Sequence, residues 1–275
     1  MESELLQKGH EIMSPKIGEK TEEYESRVQE YLEKAEDLKA SDLANYVSHR
    51  KIILDLFEMA IKRTPKGKYV REDLIHNLIM PMRKDSNEVL PGNCNLWLLD
   101  ERLAFHEYLG SDKTLKAIPI TTSDSTKEPD LLAFNLNGNP FLASESDSPP
   151  YPSITVIEIK RPMRNDAKEG EEKDPIEQCL GYLKRIRNGK VETKDGRLIP
   201  NADRIPGFCY VLCDLTSSVR ERCETKSMTR RHDDEGYFHY NQNYNAYIEV
   251  MSFDRLVNAA KERNRALFDR LGLPT

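Results

Sequence analysis

The chain has 275 residues, 38% hydrophobic and 32% charged, enough apolar material for one large globular unit or two smaller ones. No apolar run approaches the roughly 18 residues of a membrane span, the N-terminus lacks a signal-peptide stretch, and 13 Gly and 15 Pro spread along the chain exclude collagen-like composition. The net charge of −6, taken whole, argues against a nucleic-acid partner.

The spacing of apolar residues predicts an amphipathic helix over 20–39, carried by Tyr24, Val28, Tyr31, Leu32, Ala35 and Leu38. A second helix is expected to begin with Ser41 or Asp42 as N-cap and to run to Ala60, before the turn signal Thr64-Pro65-Lys66-Gly67. Helical patterns over 71–80 and 96–109 follow, separated by Pro81 and Pro91-Gly92. After Gly110 the pattern changes to short β-rich runs at 117–122, 131–135, 154–159, 208–212 and 247–251. A helix over 175–187 lies between the third and fourth runs, and a helix over 253–271 closes the chain. Breaks are expected at 144–153, 166–174 and 217–236. The reading is an α/β fold, with a helical region at 1–95 and an α/β domain at 96–275.

Charge is unevenly placed. Residues 1–50 hold 7 basic and 12 acidic side chains, whereas residues 178–231 hold 12 basic against 6 acidic. That asymmetry is a reason to look for a polyanion site downstream. The five cysteines, Cys94, Cys179, Cys209, Cys213 and Cys223, are scattered and contain no CxxC, which fits a reduced cytoplasmic setting and neither disulfides nor zinc. Cys209 and Cys213 share a strand face and read as buried apolar-like residues, while His232 and His239 have no second ligand at metal spacing. No Walker or Rossmann glycine motif occurs.

The chemistry concentrates in one place. Ile154–Lys160 is a β-branched run ending in Glu158-Ile159-Lys160, and a strand period of two puts Glu158 and Lys160 on one face. A carboxylate and an ammonium at the end of a buried strand are costly unless paired or used. Upstream, Pro129-Asp130 opens the apolar run Leu131–Phe134. If the two strands are neighbours, Asp130 and Glu158 converge beside Lys160, and two hard oxygen ligands suit a partly hydrated Mg²⁺. Four Glu-x-Lys triplets occur, starting at Glu158, Glu171, Glu192 and Glu224, but only the first lies in such a run. Gln178 and Tyr182 then share one face of the following helix, the only glutamine–tyrosine pair at that spacing in the chain. A plain strand-end ion pair and a polar helix surface are the competing structural readings of these two elements.

Pro129-Asp130, Glu158-Ile159-Lys160 and Gln178-x-x-x-Tyr182 together resemble the PD-(D/E)XK nuclease superfamily, in its RecB-like branch with a QxxxY motif. The resemblance covers roughly residues 96–215. It implies a restriction-endonuclease-like αβββαβ core and metal-dependent hydrolysis of phosphodiester bonds in DNA, with RNA not excluded. Asp130, Glu158 and the carbonyl of Ile159 would bind Mg²⁺ or Mn²⁺, and Lys160 would orient the attacking water. Gln178 and Tyr182 would hydrogen-bond the lysine or a phosphate oxygen. The helix before the strands often supplies a further acid in that family. Here Glu101 is favoured, since it shares a face with Trp97, Phe105 and Tyr108, while Asp100 and Glu107 stay open. His106 stands where that branch often has a histidine. Arg161, Arg164, Lys184, Arg185 and Arg187 are the nearest candidates for phosphate contacts.

The segment from Asp42 through 96–109 also resembles the C-terminal part of longer bacterial proteins carrying a GHKL-type ATPase. That likeness implies a place in bacterial defence or DNA repair, and that the chain is a fragment or short relative. An alternative use of the same fold is a non-catalytic module binding DNA or a partner protein. The stripe at Tyr24, Val28, Tyr31 and Leu32 would serve as core, as a homodimer arm, or as the seat of an ATPase partner. Tyr237, Phe238, Tyr240, Tyr244 and Tyr247 form an aromatic group for strand packing or for stacking on bases.

Overall fold

A computed structural model describes residues 21–65, 67–104, 106–135, 153–192, 196, 198–199 and 201–274. Packing divides them into two compact units, one holding the described residues up to Ile53 and from Asn264 onward, the other Leu54–Arg263. The division falls well before residue 95, so the segment from Leu54 to Asn95 belongs to the sheet-bearing unit. In the first unit Arg50 is buried and donates to the buried Asn264 amide oxygen at 2.8 Å.

The fold is mixed α/β. Helix α1 runs unbroken over Thr21–Ile61, joining the two helices expected there. Ser41 and Asp42 are cap-type residues, but the segment contains neither Gly nor Pro, so nothing obliges the helix to stop. Helix α2 covers Glu72–Ile79 and buries Ile75, His76 and Ile79. The expected helix over 96–109 is absent. The chain instead makes 3-10 turns at Leu96–Leu98 and Glu101–Ala104 and then strand β1, Tyr108–Ser111. Asp100 explains part of this: its carboxylate accepts the Arg102 backbone N–H and Nε, at 2.9 and 2.8 Å, a local turn that competes with helix.

Strands β2 (Leu131–Asn135) and β3 (Ser153–Ile159) follow, then helix α3 (Pro175–Asn188). The run at 117–122 is no strand. Pro119 sits in its middle, removing a ladder donor, and only an isolated bridge joins Thr121 to Val191. A small hairpin, β4 (Val191–Glu192) with β5 (Leu198–Ile199), precedes β6 (Gly207–Leu212). The expected charged break at 217–236 holds helix α4 (Ser217–Thr225) and strand β7 (Thr229–Arg230). Strands β8 (Gly236–Asn241) and β9 (Ala246–Met251) and helix α5 (Phe253–Arg270) complete the chain. The expected break at 144–153 lies, but for Ser153, outside the described residues.

The seven-stranded sheet has the order β1-β2-β3-β6-β9-β8-β7. Strands β1, β2 and β3 form an antiparallel meander, β6 and β9 continue parallel to β3, and β8 and β7 return antiparallel. Helix α3 lies on the face carrying Leu132, Phe134, Ile154, Val156, Cys209 and Val211. Its own Ile176, Cys179, Leu183 and Ile186, spaced three and four apart, are buried there. Pro175 starts the helix, and the fully buried Asp174 caps it by accepting from the N–H groups of Ile176 and Glu177. All five cysteines are free and four of them are buried.

Candidate active site

Leu131 pairs with Ile157 in the β2–β3 register, so the next step outward sets Asp130 opposite Glu158. The two expected carboxylates therefore meet where β2 begins and β3 ends. Asp130 accepts the Ile159 backbone N–H at 2.6 Å, which fixes its carboxylate across the strand ends. Glu158 and Lys160 are 3% and 6% exposed, and Lys160 Nζ donates to Glu158 Oε1. The main chain of Lys160 extends the sheet, its N–H donating to Leu212 O at 2.8 Å.

One polar atom is left over. Glu158 Oε2 is buried without a hydrogen-bond partner, a state that costs about 1–3 kcal/mol or more for a charged group. Burial pushes the Asp130 carboxyl well above the ordinary range, and the neighbouring charge of Glu158 pushes it further. Burial also raises Glu158, against the pull of Lys160. Burial works against the Lys160 ammonium, but Glu158 and Asp130 outweigh it and its pKa rises. One cation thus faces two carboxylates, Glu158 buried and Asp130 half-buried. Among the described residues no group of three or more His, Cys, Asp or Glu side chains is placed to hold a metal ion. Two carboxylates with a free buried oxygen nonetheless match a hard cation that keeps much of its water.

Two site residues come from a helix outside the expected constellation. Glu72, at the first turn of α2, accepts the Arg161 backbone N–H at 2.8 Å, and its charge acts on Asp130, Glu158 and Lys160. One turn later, His76 Nδ1 lies 4.0 Å from Asp130 Oδ1, and its Nε2 is 2.8 Å from Ser111 Oγ. Burial lowers the His76 pKa to about 4, so the ring is neutral beside the carboxylates. The signal was a Glu and a His four apart on an apolar-faced helix.

The acid favoured from the 96–109 segment is not among the charges that act most strongly on this cluster. Glu101 sits on a 3-10 turn, whereas Glu72 is among those charges. Asp100 is committed to Arg102. Glu107 donates its backbone N–H to Phe134 O, at the far end of β2 from Asp130. His106 Nδ1 is 2.9 Å from Leu103 O.

Tyr182 is buried near both carboxylates, yet its hydroxyl donates to Glu128 O at 2.9 Å rather than to Lys160. It steadies the backbone two residues before Asp130. Gln178 is half-buried on the same helix face. The loop after β3 is clamped to the segment after β6: Thr216 Oγ1 donates to Arg164 O at 2.9 Å, and Asn165 Oδ1 accepts from Ser217 Oγ and Ser218 N at 3.1 and 2.9 Å.

The candidate phosphate contacts divide. Arg161 and Lys184 are exposed. Arg164 pairs with Asp166 at 2.6 Å, and its charge reaches Glu158. Arg185 is held by both carboxylate oxygens of Glu171. Arg187 is structural, for its guanidinium donates to the carbonyls of Tyr244, Ile205 and Asn245. Part of the basic run at 178–231 is neutralised in the same way, with Arg222 and Lys226 on Asp174 and Glu177, Arg230 on Asp234 and Arg231 on Asp233. Among the described residues no helix is long and apolar enough to cross a membrane. No family model, curated protein or solved structure matches the chain.

Proposed function

We propose that the chain is a metal-dependent nuclease with a restriction-endonuclease-like core, cutting phosphodiester bonds of DNA. The observation that carries the reading is the convergence of Asp130, Glu158 and Lys160 at adjoining strand ends, with one buried carboxylate oxygen unsatisfied. The order of elements supports it: α2, the meander β1-β2-β3, α3, then β6 parallel to β3, an αβββαβ sequence whose first helix is α2. Asp130, Glu158 and the Ile159 carbonyl would hold Mg²⁺ or Mn²⁺, with Glu72 near enough to add charge. A divalent cation supplies Lewis-acid activation of water and of the scissile phosphate.

The chain's own residues do the positioning. Lys160, anchored by Glu158, places a fixed positive charge where negative charge grows on the phosphate. Tyr182 holds the approach to Asp130 through Glu128. His76, neutral beside Asp130, adds no positive charge of its own to compete with a cation at the ligand pair. Arg161 and Lys184 are left to meet the backbone of a nucleic acid.

The test is a cleavage panel on linear and circular, single- and double-stranded DNA and on RNA, with Mg²⁺ or Mn²⁺ and with Asp130→Asn as blank. Cleavage by the wild type alone supports the reading, and equal cleavage by both proteins refutes it. One observation favours a second reading, a non-catalytic module that binds DNA or a partner: Lys160 is already spent on Glu158. Calorimetric titration with Mn²⁺ separates the two, because only the nuclease needs a cation at the carboxylate pair.

A further inference from the structure

Strand alternation puts Glu158 on the face under α3 and turns Phe208, Tyr210, Tyr247 and Glu249 to the other face. There a cavity of about 750 Å³ opens, inside the size range of small-molecule sites, roughly 300–1,000 Å³. None of Asp130, Glu158, Lys160 or Tyr182 lines it. Its floor is aromatic. Phe208 and Tyr247 are register partners, with ring centroids 6.5 Å apart, and Tyr210 is the register partner of Glu249, whose charge, with burial and the charge of Asp100, keeps its phenol protonated.

The wall is cationic. Arg102, Arg231, Arg255 and Arg263 line the cavity against the two carboxylates Asp100 and Glu249. Much of that charge is used internally: Asp100 holds Arg102, Arg255 Nη1 and Arg231 Nε lie 2.6 and 3.4 Å from Asp233, and Arg263 donates to the carbonyls of Trp97 and Leu98 at 2.9 and 2.7 Å. Glu249 accepts from the Tyr247 hydroxyl at 3.2 Å and lies 3.6 and 3.8 Å from Arg231 and Arg255. The buried Arg255 Nε has no hydrogen-bond partner. The spare Arg255 donor in a wall of guanidinium groups calls for an anion with several acceptor oxygens. The aromatic floor calls for a flat ring. A bare anion would leave the rings uncovered, and a neutral aromatic would leave the donor unmet.

We propose that this cavity binds a free nucleotide, its base against Phe208, Tyr210 and Tyr247 and its phosphate toward Arg255 and the neighbouring arginines. The site is separate from the carboxylate cluster and holds whether or not that cluster cuts DNA. Isothermal titration of the full chain in EDTA tests it, with nucleoside mono-, di- and triphosphates of each base, the matching nucleosides, and sodium phosphate. At least one nucleotide is expected to bind with Kd below about 0.1 mM, and its nucleoside and phosphate alone about tenfold or more weaker. Tyr247→Ala, which removes a stacking ring, and Arg255→Gln, which removes the spare donor, are each expected to weaken the nucleotide about tenfold, while Asp130→Asn leaves it unchanged. The proposal is overturned by no binding at about 1 mM nucleotide, by phosphate binding as tightly as nucleotide, or by binding that survives both cavity variants and is lost in Asp130→Asn.

Discussion

Asp130→Asn is expected to move stability in opposite directions with and without a divalent cation. In the cation-free protein the Asp130 carboxylate is largely desolvated and faces Glu158, and both effects oppose its charge. The amide is neutral, and its oxygen can still accept the Ile159 N–H that the carboxylate accepts at 2.6 Å. The variant therefore melts higher than wild type at pH 8, by about 2–4 °C for every 1 kcal/mol recovered in a chain near this size. In the proposed nuclease the same carboxylate is one half of the ligand pair. A cation at a hundred times its Kd stabilises the wild type by about 2.7 kcal/mol, or about 5–10 °C, and the variant loses that gain.

The pH dependence follows from the same charges. Asp130 and Glu158 keep protons in the folded state above their ordinary values of 3.8 and 4.5. The unfolded chain then binds fewer protons than the folded one, so their contribution to cation-free stability falls as pH rises above that range. Asp130→Asn makes the fall shallower. Scanning calorimetry at pH 8, with and without Mn²⁺, reads both effects. A variant that melts below wild type without cation, or that keeps the Mn²⁺ shift, would refute the reasoning.

Lys160→Ala leaves Glu158 buried and unpaired, which costs about 3–5 kcal/mol, so lost cleavage in that variant is expected to come with a Tm drop. Glu158→Gln combined with Lys160→Met removes both charges; it is expected to regain most of that Tm by calorimetry and stay inactive in a cleavage assay. His76 has a folded pKa of about 4 against 6.5 ordinarily, so the unfolded chain binds the extra proton and stability is lost as pH falls through that window, by up to about 3 kcal/mol. Urea titrations of wild type and His76→Gln at pH 7.5 and 5 are expected to converge as pH falls; parallel curves would exclude the role. Tyr182→Phe removes the bond to Glu128 O, worth about 1 kcal/mol, and is expected to lower kcat with KM nearly unchanged in steady-state kinetics.

What was legible in the sequence was what local periodicity decides. The alternation along 154–160 sets Glu158 and Lys160 on one face without reference to any other strand, and the structure keeps them there. The helix over 175–188 was equally plain, since Pro175 and a stripe at three- and four-residue spacing are local signals. The segment over 96–109 misled because its apolar residues serve two ends. Some bury in 3-10 turns held by Asp100, and Tyr108–Ser111 pair with β2, a partner no local pattern names. Glu101 was favoured for its place on a helix that does not form.

Glu72 and His76 went unread for the complementary reason: their helix was expected, but its docking beside β3 is a tertiary fact. The charge argument turns on the same distinction. Twelve basic side chains over 178–231 suggested a polyanion surface, yet Arg185, Arg187, Arg222 and Lys226 are consumed by Glu171, backbone carbonyls, Asp174 and Glu177. A count of charges measures supply, and a binding surface depends on what folding leaves unspent. By that measure the carboxylate pair, with its unmet Glu158 oxygen, and the arginine-walled cavity, with its unmet Arg255 nitrogen, are two places where the described fold leaves a buried ionic atom short of a hydrogen bond. The first asks for a cation and the second for an anion, so the two titrations with Mn²⁺ and with nucleotide probe independent sites on opposite faces of one sheet.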